Sequence, residues 1–408
     1  MDDLVIVGAG LTGLFAAALA TRRGARVTVV SQGRGGLELS HGCIDVLGAT
    51  VPRQGLRRLR KAHPYSLVGR ETLEGALEAL KQITQAHDLE YQGSLNALLR
   101  LPTALGALHP TCLAPRSMVA GDASSSDPYT IAGFESFRDF HAALVARELR
   151  AGGLTASTAP DLPLLDAPRH RDAYATDLAR LLDDPQRVAD LARAWKPRMK
   201  GVVRLGLPAV IGFERSAQAW RDLEERLGVR VFEIPTLPPS VPGLRLERVL
   251  RKEALASGCN FIEGARAIGR VDGRTRSRRV SGVVAQTAGG PRLYPANVVL
   301  LATGGILHGG LVARRDGRVQ ESVFDMPVVA CEDRSTWSGE TPFESQPYAA
   351  FGLRVGSDMR PLDSGGEPVF ANLFAAGGLL AGVDRGWEGS RQGIDLATAY
   401  RAVEMALP

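Results

Sequence analysis

The sequence predicts an α/β fold: a doubly wound parallel sheet with a second α/β domain inserted into it. Three observations carry this. The chain opens on "LVIVGAGLTG" (4–13), an apolar strand running through a glycine turn into a helix. Strand-like and helix-like stretches then alternate through the middle of the chain. Two later apolar runs, "VVLLATGG" (298–305) and "NLFAAGG" (372–378), each end in a glycine turn.

Taken in order, residues 3 to 8 read as a fully buried strand. Thr12 to Arg23 reads as a helix with alanines on its packed face, ended by Gly24. Arg26 to Val30 reads as a second parallel strand, completing a βαβ unit. "QGRGGLELSHGCIDVLG" (32–48) is glycine-rich and reads as loop. A helix is expected over Glu71–His87 and hairpins over 95–119. Next come a strand at "YTIAGF" (129–134), a helix over Ser136–Ala151, a mostly extended stretch at 202–213, a helix over Ala217–Leu227 and a strand at 229–234. Four prolines in "PTLPPSVPG" (235–243) argue against regular structure there, with a helix over 245–257 beyond. Residues 261–302 read as three strands with Gly/Arg/Ser-rich turns. A helix from Ile394 to Met405 closes the chain. The expected division is a first domain over 1–90, 241–310 and 353–408, an inserted α/β domain over 91–240, and residues 311–352 in a cap associated with the insert.

Of the 408 residues, 45% are hydrophobic and 23% charged, which suits a globular chain with more than one core. The net charge of +5 is spread out and aromatics are only 6%, so no nucleic-acid footprint is expected. The four cysteines lie far apart, which argues against an iron–sulfur or zinc site and fits a reduced, cytoplasmic compartment. Leu4–Ala20 is apolar, but Asp2 and Asp3 precede it and glycines interrupt it. A buried strand and helix explain it better than a signal peptide or a membrane span.

Gly8-Ala9-Gly10-Leu11-Thr12-Gly13 is G-x-G-x-x-G between strand and helix. Gly8 permits the turn, Gly10 lets the backbone approach a pyrophosphate, and Gly13 lets helix and strand close up. The helix N-terminus offers amide hydrogens to phosphate. The second strand of such a unit normally ends in an acid that holds the adenosine ribose. Here it ends in Ser31, whose hydroxyl can hold one ribose oxygen, a loss of roughly 1–2 kcal/mol.

The later turns, Ala302-Thr303-Gly304 and Gly377-Gly378, complete a pattern of two-dinucleotide-fold flavoproteins. In that pattern the last helix aims its N-terminus at a flavin, and the amides of Gln392, Gly393 and Ile394 are the expected donors. In the loop after the second strand, Ser40 is a candidate cofactor contact and His41 a candidate acid/base. Arg385 and Arg391 are candidates for an anionic substrate or a flavin phosphate. No metal site is expected.

Beyond these motifs, "SHGCIDVLG", "AHPYSLVG", "PTLPPSVPGLRL", "LLATGGILHGGLVARRDG", "QPYAAFGL" and "NLFAAGGLLAGVDRGWEGSRQGIDLATAYRA" together resemble the B subunits of anaerobic glycerol-3-phosphate dehydrogenase nearly end to end. The resemblance implies a three-subunit, quinone-linked enzyme that oxidises sn-glycerol 3-phosphate to dihydroxyacetone phosphate. The partners would be a larger flavoprotein and an iron–sulfur subunit that links the pair to the membrane, so this chain would be peripheral through a partner. The resemblance implies FMN, whereas the pyrophosphate-type turn favours FAD. A free-standing flavin oxidoreductase, or a structural subunit with a vestigial fold, remain the other readings.

Overall fold

The computed structural model describes residues 1–48, 50–135, 137–164, 173–271 and 279–407. The chain divides into two compact units: 1–36, 45–80 and 250–408 form the first, and 37–44 with 81–249 the second.

In the first unit, β1 (Asp2–Val7) follows two aspartates with four apolar residues, all buried. It leads through the glycine turn into α1 (Leu11–Arg22), buried over Leu11–Thr21. A helix apolar on all sides belongs inside a layered fold, and its small alanines let other elements approach closely. β2 (Val27–Val30) lies parallel beside β1, and β3 (Asn260–Ile262) parallel beside β2. β4 (Arg266–Val271), β5 (Val280–Thr287) and β6 (Gly290–Leu301) form an antiparallel meander. β6 then changes partners. Its first half pairs with β5, and from Ala296 onward it runs parallel to β1 and to β7 (Leu373–Ala375). The parallel order is therefore β3-β2-β1-β6-β7. Buried Asn372 pins this changeover. Its side-chain nitrogen donates to the carbonyls of Val280 (2.9 Å) and Asn297 (2.7 Å), and its side-chain oxygen accepts from the Val280 amide (2.9 Å). α2 (Arg391–Ala406) closes the chain.

The second unit holds a sheet of its own, four parallel strands in the spatial order 156–158, 129–131, 204–208, 230–234. Its core includes Trp195 stacked on Phe134 at 5.5 Å, with the indole N–H donated to the Pro163 carbonyl at 2.9 Å. Arg245 and Glu233 form a fully buried ion pair at 2.7 Å.

Several boundaries depart from the expectations. Residues 37–44 cluster with the second unit, because Ile44 pairs with Leu113 and the Ser240 amide donates to the Glu38 carbonyl at 2.7 Å. Residues 311–352 cluster with the first, where the Gly269 amide of β4 bonds the Val323 carbonyl at 2.8 Å and Val329 pairs with Gly352. The helix expected from Ser136 is Ala142–Ala151, and position 136 lies outside the described residues. The helix expected at 245 begins at Val241, with Pro242 in its first turn, where no amide hydrogen is needed. α2 likewise begins three residues early.

Asn372→Ala strands the Val280 and Asn297 groups in the core. Destabilisation of about 3 kcal/mol is expected as a lowered denaturation midpoint; an unchanged midpoint would show that other partners replace the amide.

Candidate functional site

Three strand ends meet in the first unit. Gly8 adopts φ +111°, donates its amide to the Val30 carbonyl (2.9 Å), and lies so close to Ala302 that a Cβ would overlap that residue's carbonyl. A Cβ on Gly13 would overlap the Gly8 carbonyl. Gly377, at φ +71°, rests on Thr12: a Cβ there would overlap the Thr12 hydroxyl and stand 2.8 Å from Asp395 Oδ1. The Gly377 amide is held by Thr398 Oγ1 at 2.8 Å. A Cβ on Gly305 would sit 2.8 Å from the Gly378 carbonyl. The start, middle and end of the chain thus interlock through missing side chains.

Gly10 is different. A Cβ there would meet nothing within 4 Å. As the N-cap of α1 it supplies no side-chain acceptor, so the first-turn amides following it carry no cap. Ser31, buried at the end of β2, uses its amide on the Ile262 carbonyl (2.9 Å) and its carbonyl on the Ala265 amide (3.0 Å). Its hydroxyl has no partner among the described residues, and the Thr303 hydroxyl has none either. An open backbone face at the turn and an orphaned hydroxyl at each neighbouring strand end fit a ligand that brings phosphate and hydroxyl groups. The loop after β2 folds back on this turn, where a Cβ on Gly35 would stand 2.7 Å from the Gly10 Cα.

Beside this turn lies a cluster of charged side chains. Arg385 donates to Asp395 at 2.6 Å, and both are largely buried. The His308 ring is framed by two glycines: Cβ atoms would stand 2.7 Å from His308 Cβ at Gly304 and 3.7 Å from Nε2 at Gly36. Its pKa is lowered, first by desolvation and then by the guanidinium groups of Arg385 and Arg391, against the opposing pull of Asp395. The ring is therefore neutral at neutral pH and keeps one nitrogen as an acceptor.

The expected donors of the last helix are a correction. α2 starts at Arg391, so Ile394 is already inside the first turn and its amide bonds the Ser390 carbonyl at 3.1 Å. The Gly393 amide is taken by the Asp45 carbonyl at 2.9 Å, and the Gln392 side chain accepts from the Asp45 amide at 3.4 Å. A Cβ on Gly393 would overlap the Tyr65 hydroxyl. Gln392 and Gly393 thus clasp Asp45, and the Ile394 amide belongs to the helix's own hydrogen-bond ladder.

Ser40 and His41 fall in the second unit. There Ser40 Oγ accepts from the Gly42 amide (3.2 Å), and His41 Nδ1 accepts from the Cys43 amide (3.1 Å) while its ring lies 4.5 Å from that of His109. His308, Asp395 and the pair His63–Glu388 were not candidates in the sequence. His63 Nδ1 accepts from the Tyr65 amide (3.1 Å), so Nε2 carries hydrogen toward Glu388 Oε2 at 3.2 Å. Burial pushes the Glu388 carboxyl up, but the hydrogen bond from His63, with the Ser390 hydroxyl nearby, outweighs it and holds the group below its ordinary value. The signal for His308 was its setting in "GGILHGG", a histidine between two glycine pairs.

The FAD binding domain family model matches residues 3–390. A protein of Halobacterium salinarum, named as the probable B subunit of anaerobic glycerol-3-phosphate dehydrogenase, is 33% identical over 98% of this chain and 96% of its own length. A protein of Pectobacterium carotovorum, named as the B subunit of the same enzyme, is 32% identical over 99% of this chain and 98% of its own. The chain belongs to the family of anaerobic glycerol-3-phosphate dehydrogenase B subunits. Among solved structures, 3-ketosteroid Δ1-dehydrogenase from Sterolibacterium denitrificans aligns with 14% identity and a TM-score of 0.48, covering 99% of both chains. This B-type chain is a flavoprotein component of an oxidoreductase, and its α/β fold with a parallel sheet is the one expected. Among its described residues no helix is long and apolar enough to cross a membrane.

Gly10→Ala should leave the unfolding midpoint within about 0.5 kcal/mol of the parent, since the added methyl touches nothing, yet lower flavin occupancy. Gly13→Ala should lower the midpoint itself. Absorbance at the flavin band per mole of protein, with a thermal melt, separates the two; full occupancy in Gly10→Ala would remove Gly10 from the cradle.

Proposed function

We propose that this chain binds FAD as the B-type component of a quinone-linked anaerobic glycerol-3-phosphate dehydrogenase. It would work with a larger flavoprotein and an iron–sulfur subunit that ties the pair to the membrane. The reaction is oxidation of sn-glycerol 3-phosphate to dihydroxyacetone phosphate. The bound flavin supplies the two-electron and one-electron redox chemistry of that reaction.

The observation that carries FAD over FMN is the Ser31 hydroxyl. It is buried, unpartnered and located at the end of the second strand, where an adenosine ribose lies in folds of this kind. FMN has no group to reach it. The uncapped first turn of α1 and the open side of Gly10 support a pyrophosphate beside it. The chain's own part is to hold the phosphates on backbone amides and to offer one hydroxyl to the ribose. The Cys259 thiol takes no part: it is buried, and desolvation pushes its pKa up to about 12.

Denaturing the purified protein and weighing the released cofactor tests the assignment. FAD is expected, and FMN or nothing would overturn it. Ser31→Ala should weaken FAD about five- to tenfold, the worth of one hydrogen bond at about 1 kcal/mol, and leave FMN affinity unchanged. Reduction of the flavin by glycerol 3-phosphate in the isolated chain would instead favour a free-standing enzyme.

A further inference from the structure

Three glycines in the first unit each leave room for one basic side chain. A Cβ on Gly378 would overlap Arg385 Nη2, one on Gly386 would stand 2.7 Å from Arg391 Nη2, and one on Gly304 would stand 2.7 Å from His308 Cβ. The backbone draws the three together: Gly305, next to Gly304, abuts the Gly378 carbonyl, Gly378 abuts Arg385, and Arg385 Nη1 donates to the Arg391 carbonyl at 3.4 Å. Arg385 is fixed by Asp395 at 2.6 Å, which preorganises its planar fork. Arg385 and Asp395 are largely buried, whereas His308 and Arg391 are exposed, so the Arg391 charge, beyond the one Asp395 answers, stands open to an incoming anion. Two guanidinium forks and an imidazole suit a tetrahedral dianion, to which they offer several charge-assisted hydrogen bonds. The cluster adjoins the flavin turn, since Asp395 lies against Gly377 and Gly377 against Thr12.

We propose that His308, Arg385 and Arg391 form a phosphate subsite of this protein, which holds the phosphate end of a small phosphate monoester beside the flavin. The inference deepens the flavin reading and rests on it for the neighbouring cofactor, but the subsite is measurable without flavin. A dianion within about 5 Å stabilises imidazolium, so filling the site raises the His308 pKa by roughly one pH unit.

The test is a proton-NMR titration of histidine-labelled protein, with His308 assigned by His308→Gln, in the presence and absence of inorganic phosphate, in flavin-loaded and flavin-free samples. The expected result is an upward shift with phosphate in both samples. In Arg391→Gln, an exposed position, the resting pKa should rise and phosphate should bind at least fivefold more weakly. Arg385→Lys, which keeps the charge and loses the fork, should weaken phosphate while leaving the resting pKa nearly unchanged. No phosphate response in either sample overturns the proposal. A response in flavin-free protein that disappears on flavin loading also overturns it, because the anion is then the cofactor's own phosphate. If the protein takes no flavin, the flavin reading fails, and the flavin-free titration alone decides the subsite: a shift upholds it and no shift overturns it.

Discussion

The first unit depends on close approach of backbone to backbone where side chains are missing. Gly8 against Ala302, Gly13 against Gly8, Gly305 against Gly378 and Gly377 against Thr12 bring three strand ends, far apart in sequence, to one place. No ion pair or apolar patch could substitute, because the gaps are narrower than a methyl group. The consequence reaches the chemistry. Strand ends and a helix start present unpaired amides and hydroxyls, and converging them concentrates those groups where a ligand carrying oxygen atoms can satisfy them.

The second unit handles the same physics in the opposite way. Its sheet is also parallel, with its order reversing between strands 129–131 and 204–208, the point at which doubly wound sheets commonly bind ligands. There the amides of Phe213, Glu214 and Arg215, leading into the next helix, are bound by the Asp183 carboxylate at 2.8–3.0 Å. The neighbouring Ile211 amide is bound by Glu233 at 2.9 Å, itself held by Arg245 and by Ser117. Internal carboxylates thus hold the amides of the loop that leads into this helix, whereas the glycine turn of the first unit has no such carboxylate bound to it among the described residues.

Most of the parallel framework was legible in the sequence, because apolar strands ending in glycines leave a strong local pattern. The two turns at 302–304 and 377–378 were found for that reason. What was not legible depended on distant partners. The amide of Gly393 looked free because its partner Asp45, nearly 350 residues away, is invisible to a local reading, and that of Ile394 looked free because the helix begins three residues earlier than expected. Ser40 and His41 were read with the first turn because they are close to it in sequence; their segment clusters with the second unit, where Ile44 pairs with Leu113. His308 and Asp395 each look ordinary alone; only the fold places them with Arg385. Arg385, which a local reading could equally leave on the surface, is largely buried against Asp395, whereas Arg391 stays exposed.

Ser31 in place of an acid has a physical consequence beyond lost affinity. The position is 4% exposed. A hydroxyl left there without a partner costs on the order of 1–3 kcal/mol. An ionised carboxylate at the same depth, facing no cation, would cost considerably more whenever the ribose was absent. An acid therefore ties the stability of such a fold to its cofactor, whereas a serine loosens that tie. With the ribose contact reduced to one neutral hydrogen bond, affinity shifts onto the amides after Gly10, where binding depends on the phosphates and less on what lies beyond them.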